Sequence, residues 1–408
     1  MIRALGKQIN RKFYEFLSHQ QSAGFLIIGA TVVSLIVANL PFHEAVESFW
    51  HVKAGFNFSI FQFELSLHDW VNDGLMAIFF FLVGLEIKRE IVAGELASFK
   101  QASLPVAAAL GGMLVPAGIY ALFNFNSPET AHGWGIPMAT DIAFALAVLM
   151  FAGDKVPFAL KILLTSLAVV DDLGAIIVIA IFYVNDLQLN YLLAAGGISL
   201  WMFLMNYAGV KRFAWYLLPG IALWYVIFES GIHATIAGVI LAMMIPFDPK
   251  NKEDSTLEKV EHELHVPVNF LILPLFALSN TLITFTPEMV HDIATPMSLG
   301  IFFGLLIGKP IGITLFVWLA IKSGLSTLKG SSATIGQILS VSVLGGIGFT
   351  MSIFVAMLAF DDPEMISAAK LTILVTSIVA SVVGLLLIRR SVRLQEEKKK
   401  KKIAVSKD

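Results

Sequence analysis

The sequence predicts an all-α polytopic membrane protein of about twelve transmembrane helices, with inverted repeats, two broken helices and a small outer-face β-hairpin. Three observations carry this expectation. The 408 residues are 57% hydrophobic and only 14% charged, whereas a soluble domain carries about 25% charged residues. Apolar runs recur along the whole chain, most of them near the roughly 20 residues that cross about 30 Å of hydrocarbon. Glycine and proline interrupt two of those runs at matching places.

The elements follow in order. Residues 1–23 read as a cytoplasmic interfacial segment. Ile2, Leu5, Ile9, Phe13 and Phe16 recur there at helical spacing among Arg3, Lys7, Arg11 and Lys12. The first apolar run begins too late, and without an A-x-A-like site, to be a cleaved signal peptide. The runs themselves are 24–40, 70–85, 104–123, 134–151, 157–183, 191–204, 213–228, 231–246, 267–282, 297–321, 335–360 and 371–388. Together they make residues 24–388 the transmembrane domain. Between the first two runs, residues 55–67, from Gly55 to Leu67, alternate instead. Phe56, Phe58 and Ile60, then Phe61, Phe63, Leu65 and Leu67, give the period of two that predicts a β-hairpin. Its exposed edge would suit pairing with a twin, so a homodimer through Gly55–Leu67 is expected. Residues 389–408 form a basic cytoplasmic tail, whose lysines at 398–402 are solvated or attracted to anionic membrane lipid.

Basic residues test this layout. With both termini cytoplasmic, the inside segments should carry the Lys and Arg. All of them fall in those segments except Lys53 and Lys370, which lie on the other side, and Lys161 and Lys309, which lie within spans.

Composition also excludes classes of function. Net charge is -2, from 28 basic and 30 acidic residues, so nothing points to nucleic acid. There is no cysteine, which rules out disulfides, thiol catalysis and cysteine metal sites. No Walker loop, dinucleotide fingerprint or paired-histidine zinc motif occurs. The expectation is therefore a protein that is not an enzyme and has no cofactor, and whose uphill transport would run on an ion gradient.

Four charges stand where apolar residues are expected: Asp141, Asp171, Asp172 and Lys309. Each costs about 2.5–3.5 kcal/mol near a bilayer centre, so together they amount to a penalty on the order of 10 kcal/mol before pairing. An ion pair between Lys309 and one aspartate would account for two of them. The remaining acids point to a cation path inside the bundle. Adjacent residues 171 and 172 lie about 100° apart around a helix. Two close carboxylates resist joint ionisation without a cation, and a bound sodium reverses that preference and expels protons. Such a site holds protons or sodium, not both. Asp141, Asp171, Asp172 and Thr140 are thus the candidate cation- and proton-binding residues, with Asp171 and Asp172 as the metal-ion ligands and Thr140 beside Asp141 as a further oxygen donor.

The interrupted runs read Gly135-Ile136-Pro137-Met138-Ala139-Thr140-Asp141 and Gly345-Gly346-Ile347-Gly348-Phe349-Thr350-Met351-Ser352. Each is the middle member of a three-span group, at 104–183 and 297–388. Matching interruptions in two halves point to broken helices at an ion site between inverted repeats.

At these residues the chain resembles the bacterial NhaA-type sodium/proton antiporters, over nearly its whole length. The matching stretches are GLEIKRE at 84–90, ATDIAFAL at 139–146, VVDDLGAI at 169–176, GIHATIAGVI at 231–240, EHELH at 261–265, LLIGKPIG at 305–312 and GGIGFTMSIF at 345–354. The resemblance implies electrogenic, pH-regulated export of sodium, and of lithium, across the bacterial inner membrane in exchange for protons. It implies that Asp172 binds the cation and carries protons. Asp171 would pair with Lys309 or join in proton exchange. Asp141 and Lys309 would compensate the dipole ends of half-helices. Glu86, Glu261, His262 and His265 would belong to a cytoplasmic funnel that responds to pH, and His233 would join that response or simply bond a carbonyl. The chain departs from the family pattern at Val266, which separates His265 from Pro267, and at Ser279-Asn280-Thr281, a more polar triplet than usual.

The alternative is a sodium-coupled solute symporter of bile-acid type on a similar scaffold. That would need a larger organic pocket and no obligatory proton exchange, whereas adjacent acids with a buried lysine favour the antiporter. An intramembrane aspartyl protease also buries two aspartates, but its Gly-x-Gly-Asp signature is missing. The nearest match, Phe151-Ala152-Gly153-Asp154, lacks the first glycine.

Overall fold

The computed structural model describes residues 20–58, 61–153, 156–184, 186–251, 254–285, 294–325 and 334–405. The expected interfacial helix of residues 2–16 lies outside them. In chain order, α1 (Gln20–Ala38) and α2 (His43–Trp50) lead into strands β1 (Lys53–Phe58) and β2 (Phe61–Ser66). A π-helical turn at Trp70–Leu75 opens α3 (Met76–Ala93), and α4 (Phe99–Asn124) follows. A 3-10 segment at His132–Met138 precedes α5 (Ile142–Phe151). Then come α6 (Phe158–Phe182), α7 (Leu189–Tyr207), α8 (Ala214–Phe228) and α9 (Ile236–Met244). Helix α10 (Thr256–Pro267) passes through a π-helical turn, Val268–Ile272, into α11 (Leu273–Asn280). Helix α12 (Pro296–Phe303) likewise passes through Gly304–Gly308 into α13 (Lys309–Lys322). The chain ends with α14 (Ile335–Gly345), α15 (Phe349–Ala359) and α16 (Pro363–Val405).

Among the described residues, six helices are long and apolar enough to cross a membrane. They are Phe99–Asn124, Ala159–Phe182, Leu189–Tyr207, Thr256–Asn280, Pro296–Lys322 and Pro363–Gln395. Two bent pairs bring the number to eight if each is one span. These pairs are Pro128–Met138 with Ile142–Phe151, bent by 48°, and Ile335–Gly345 with Phe349–Ala359, bent by 51°. The bends coincide with the two interrupted runs. The protein is therefore mostly helical, with multiple apolar spans.

Some boundaries differ from the apolar runs, for physical reasons. The run 231–246 contains only a nine-residue helix, α9, because Gly231 turns the chain at φ 85. The helix expected from residue 267 begins at Thr256, since Glu, Lys, His and Leu sustain a helix without being apolar. Helix α16 continues past Ile388 to Val405 for the same reason, so the basic tail is largely helical.

The chain divides into two compact units, one of Met1–Ala97 with Ile176–Phe285 and one of Ser98–Ala175 with Thr286–Asp408. In the first, β1 and β2 pair antiparallel, from Lys53 opposite Ser66 to Phe58 opposite Phe61. The hairpin is anchored by Phe63, whose buried ring meets Trp70, Trp224, Tyr225 and Phe228 edge-on at 5.6–5.8 Å. Ser66 ends the hairpin by accepting the Asp69 amide at 3.0 Å in a capping box. Helix α9 lies against α3 so closely that a Cβ on Gly238 would overlap the Ala77 carbonyl oxygen. Lys88 of α3 then caps α9, donating to the carbonyls of Met243 at 2.7 Å and Ile245 at 2.5 Å.

In the second unit, α4 and α13 cross on glycine. A Cβ on Gly111 would overlap the Gly312 carbonyl oxygen, and one on Gly312 would overlap that of Gly111. Without a hydrophobic force between helices in lipid, such close backbone contact is what holds them together. The crossing lies within one turn of Lys309.

Candidate functional site

The two broken helices meet at their breaks, and each satisfies the backbone groups that the other leaves open. The Asp141 amide donates to the Ile347 carbonyl at 2.7 Å. The Ser352 hydroxyl donates to the Ile136 carbonyl at 2.8 Å, and the Thr140 hydroxyl to the Gly345 carbonyl at 2.8 Å. Unpaired backbone in hydrocarbon costs several kcal/mol per group, so non-helical chain persists there only when protein supplies its partners. The second break itself requires glycine. A Cβ on Gly346 would overlap the Leu305 carbonyl oxygen, and one on Gly348 would overlap the Ser352 hydroxyl. Beside them Phe349 adopts φ 21, alone among the described non-glycine residues in being positive. Its amide donates to the Ser377 hydroxyl at 3.1 Å. Strained backbone of this kind persists where its surroundings over-determine it, commonly at functional sites.

Asp141 is the hub of the crossing. Its backbone is extended and its side chain caps α5, with Oδ1 accepting the Phe144 amide at 2.9 Å. Oδ2 accepts the Thr350 amide at 3.2 Å and also the Thr350 hydroxyl. One buried carboxylate thus touches the first turns of both α5 and α15. These are the positive dipole ends of two helices, which favour a negative charge.

Lys309 starts α13 directly after the π-helical turn Gly304–Gly308. Pro310 has no amide hydrogen to give to the preceding turn, which relaxes the helix there. The Lys309 ammonium donates to the Thr140 hydroxyl at 2.6 Å and to Oδ2 of Asp171. Both charged side chains are 1% exposed. Through Thr140 the ammonium is linked to the Gly345 carbonyl, at the C-terminus of α14, where a cation opposes the dipole. Oδ1 of Asp171 has no hydrogen-bond partner among the described residues. Asp172, the next residue of α6, is also buried, at 2% exposure. The structure thus gathers Thr140, Asp171 and Lys309 by direct contact, with Asp172 adjacent in sequence and Asp141 adjacent to Thr140.

A second cluster lies in the other unit. Glu86 of α3 and Glu261 and His265 of α10 bring their ligand atoms within 4.8 Å of one another. His265 Nε2 lies 3.7 Å from Glu86 Oε1 and 3.6 Å from Glu261 Oε1. The Arg89 guanidinium forms an ion pair with Glu261 Oε1 at 2.7 Å. Positions 261 and 265 share a helix face, as an i, i+4 pair must. His262 turns away by about 100° and is exposed, so it is not part of this cluster. His233 is elsewhere again. Its Nε2 faces Asp73 Oδ1 at 3.4 Å, and its Nδ1 lies 2.9 Å from the Thr235 hydroxyl.

Thr350, Ser352, Arg89 and Asp73 were not among the residues singled out from sequence as site candidates. Thr350 carried a readable signal: it is a threonine that follows a glycine-containing break at the start of a helix, as Thr140 does. Arg89 lies in the GLEIKRE stretch. Nothing local marks Asp73 as the partner of His233.

Comparison with known proteins agrees with this architecture. The family model described as Na+/H+ antiporter 1 matches residues 14–388. The Na(+)/H(+) antiporter NhaA 2 of Flavobacterium johnsoniae is 50% identical over 386 residues, covering 94% of each chain. The Na(+)/H(+) antiporter NhaA of Oleidesulfovibrio alaskensis is 45% identical over 431 residues, covering 95% of each. That of Escherichia coli O1:K1 is 46% identical over 381 residues, covering 92% of this chain and 97% of the relative. With identities of this size across almost the whole length, and helices broken and crossed around buried acids, the chain belongs to the Na+/H+ antiporter 1 family.

Proposed function

We propose that this chain is a sodium/proton antiporter of the bacterial inner membrane, exporting sodium, and lithium by the same oxygen chemistry, in exchange for protons. The observation that carries the reading is the buried Lys309–Asp171 contact, which shares Thr140 with the crossing of the two broken helices. Family membership prefers it to the solute symporter.

Asp172 is the cation carboxylate in this reading. Sodium competes with protons there because a bound cation favours the ionised form of a carboxylate that burial otherwise keeps protonated. Asp171 exchanges its bond to Lys309 for the cation as sodium arrives, and Lys309 takes the charge back as it leaves. Asp141 and Thr350 hold the two N-terminal half-helix ends together around the site. Lys309, through Thr140, balances a C-terminal end. Asp172 and one member of the Asp171–Lys309 pair each release a proton for one sodium, which makes the cycle electrogenic. Glu86, Glu261 and His265 answer to pH, with His262 and His233 as separate contributors.

The twelve-run reading, with inverted repeats at 104–183 and 297–388, is supported by the two bends, each in the middle run of its group. The lysine and arginine distribution supports cytoplasmic termini, with residues 1–23 and 389–408 flanking the 24–388 transport domain. The two-stranded hairpin offers edges for a homodimer contact, and the helical lysine-rich tail suits anionic lipid. Everted vesicles carrying the protein should lose their acid interior when sodium or lithium is added, without any organic solute. A full complement of inserted protein with no sodium-dependent pH change would reject the assignment.

A further inference from the structure

We propose that Glu86, Glu261 and His265 form a binding site for a first-row divalent metal ion of the zinc class, which ties α3 to α10. The proposal does not rest on the transport reading, in which the same three residues answer to pH, because its test reads metal binding and not transport.

The donor set comes first. Two carboxylates and one imidazole are oxygen and nitrogen ligands that suit zinc and its neighbours, with a further position open to water. Their ligand atoms already lie within 4.8 Å of one another. Zinc binds such atoms at about 2.0–2.2 Å, so tetrahedral ligands end about 3.4 Å apart. The His265–Glu86 distance, 3.7 Å, is close to that already, and the Glu261 carboxylate meets His265 at 3.6 Å through Oε1, the oxygen that Arg89 holds.

The second observation is an orphaned acceptor. Glu261 is 3% exposed, yet its Oε2 has no hydrogen-bond partner among the described residues. A buried carboxylate oxygen left unmatched is costly and calls for a partner. Oε1 of the same carboxylate is held by Arg89 at 2.7 Å. A ligating carboxylate divides its oxygens in this way, with one on the metal and the other held by an outer partner, here the Arg89 ion pair.

The test uses the purified full-length chain in detergent, free of any histidine tag. Cobalt(II) is the spectroscopic probe and zinc the competitor. Cobalt should give d–d absorption of a nitrogen- and oxygen-ligated ion at one equivalent, and zinc should bleach it. Zinc should also raise the unfolding temperature, because it binds only the folded arrangement. H265N and E261Q should each weaken binding by more than about tenfold, since loss even of an outer-shell partner costs about 10–100-fold. H262N changes the neighbouring exposed imidazole and should leave binding unaltered. Wild-type affinity in both H265N and E261Q, or no cobalt absorption from folded protein, would overturn the site. Should E261Q fail to fold, H265N against H262N decides the matter alone.

Discussion

The Lys309 ammonium reaches Asp171 on one side and the Thr140 hydroxyl on the other, 2.6 Å away. Thr140 spends its own hydrogen on the Gly345 carbonyl at 2.8 Å. A single buried lysine therefore couples α6 to the crossing of the two broken helices, and its charge state is felt at both.

Lys309→Ala should lower stability by about 3–5 kcal/mol, because Asp171 would be left as a buried charge without its partner. Replacing both residues, as Lys309→Met with Asp171→Leu, should recover much of that loss. Thermal unfolding in detergent measures both. Equal losses in the single and double variants would mean that the ion pair contributes nothing beyond packing.

Asp172→Asn should abolish sodium-driven proton exchange while the protein still inserts and unfolds near the wild-type temperature. The amide keeps the shape of the side chain but cannot carry a negative charge or release a proton. Exchange at the wild-type rate in this variant would remove Asp172 from the cation site.

Asp141 contributes a cap as well as a charge. Asp141→Ala removes the acceptor for the Phe144 amide and both bonds to Thr350. Loss of the cap alone costs about 0.5–2 kcal/mol. Asp141→Asn keeps an oxygen acceptor, so it should be clearly more stable than Asp141→Ala, yet slower in transport than the parent. Thr350→Val should resemble Asp141→Asn in stability. Identical melting of Asp141→Ala and Asp141→Asn would show that the carboxylate does not organise the crossing.

Charge balance sets a further expectation. In alkaline surroundings the cytoplasm is the more acidic side, and each entering proton costs about 1.4 kcal/mol per pH unit. Two protons against one unit cost about 2.7 kcal/mol. A potential of about 150 mV returns about 3.5 kcal/mol for one net inward charge. A one-for-one exchanger would gain nothing from that potential. Proteoliposomes given a sodium gradient should thus develop a voltage, and collapsing it should change the exchange rate. Proton flux without any sodium-driven current would establish one-to-one exchange.

The amino-acid order alone determined the membrane class, the places where two helices break and the acids that resist burial. Those properties are local: hydropathy, glycine and proline act on the residues beside them, so Gly135–Asp141 and Gly345–Ser352 could be read directly. Which break meets which was decided by tertiary structure. Asp141 finds Thr350, and Thr140 finds Gly345, across more than half the chain, and nothing in either segment states the pairing. Lys309 was legible as a buried cation needing an acid from another helix. Asp171 is in direct contact because α6 and α13 place it there, through glycine contacts that let α13 approach α4. Likewise Glu261 and His265 announce a shared face by their spacing, but Glu86 and Arg89 join them only because α3 packs beside α10. His233 belongs with Asp73 for the same kind of reason. A sequence reports the chemistry each helix carries, whereas the contacts between helices depend on packing of small residues, and that is a property of pairs of surfaces.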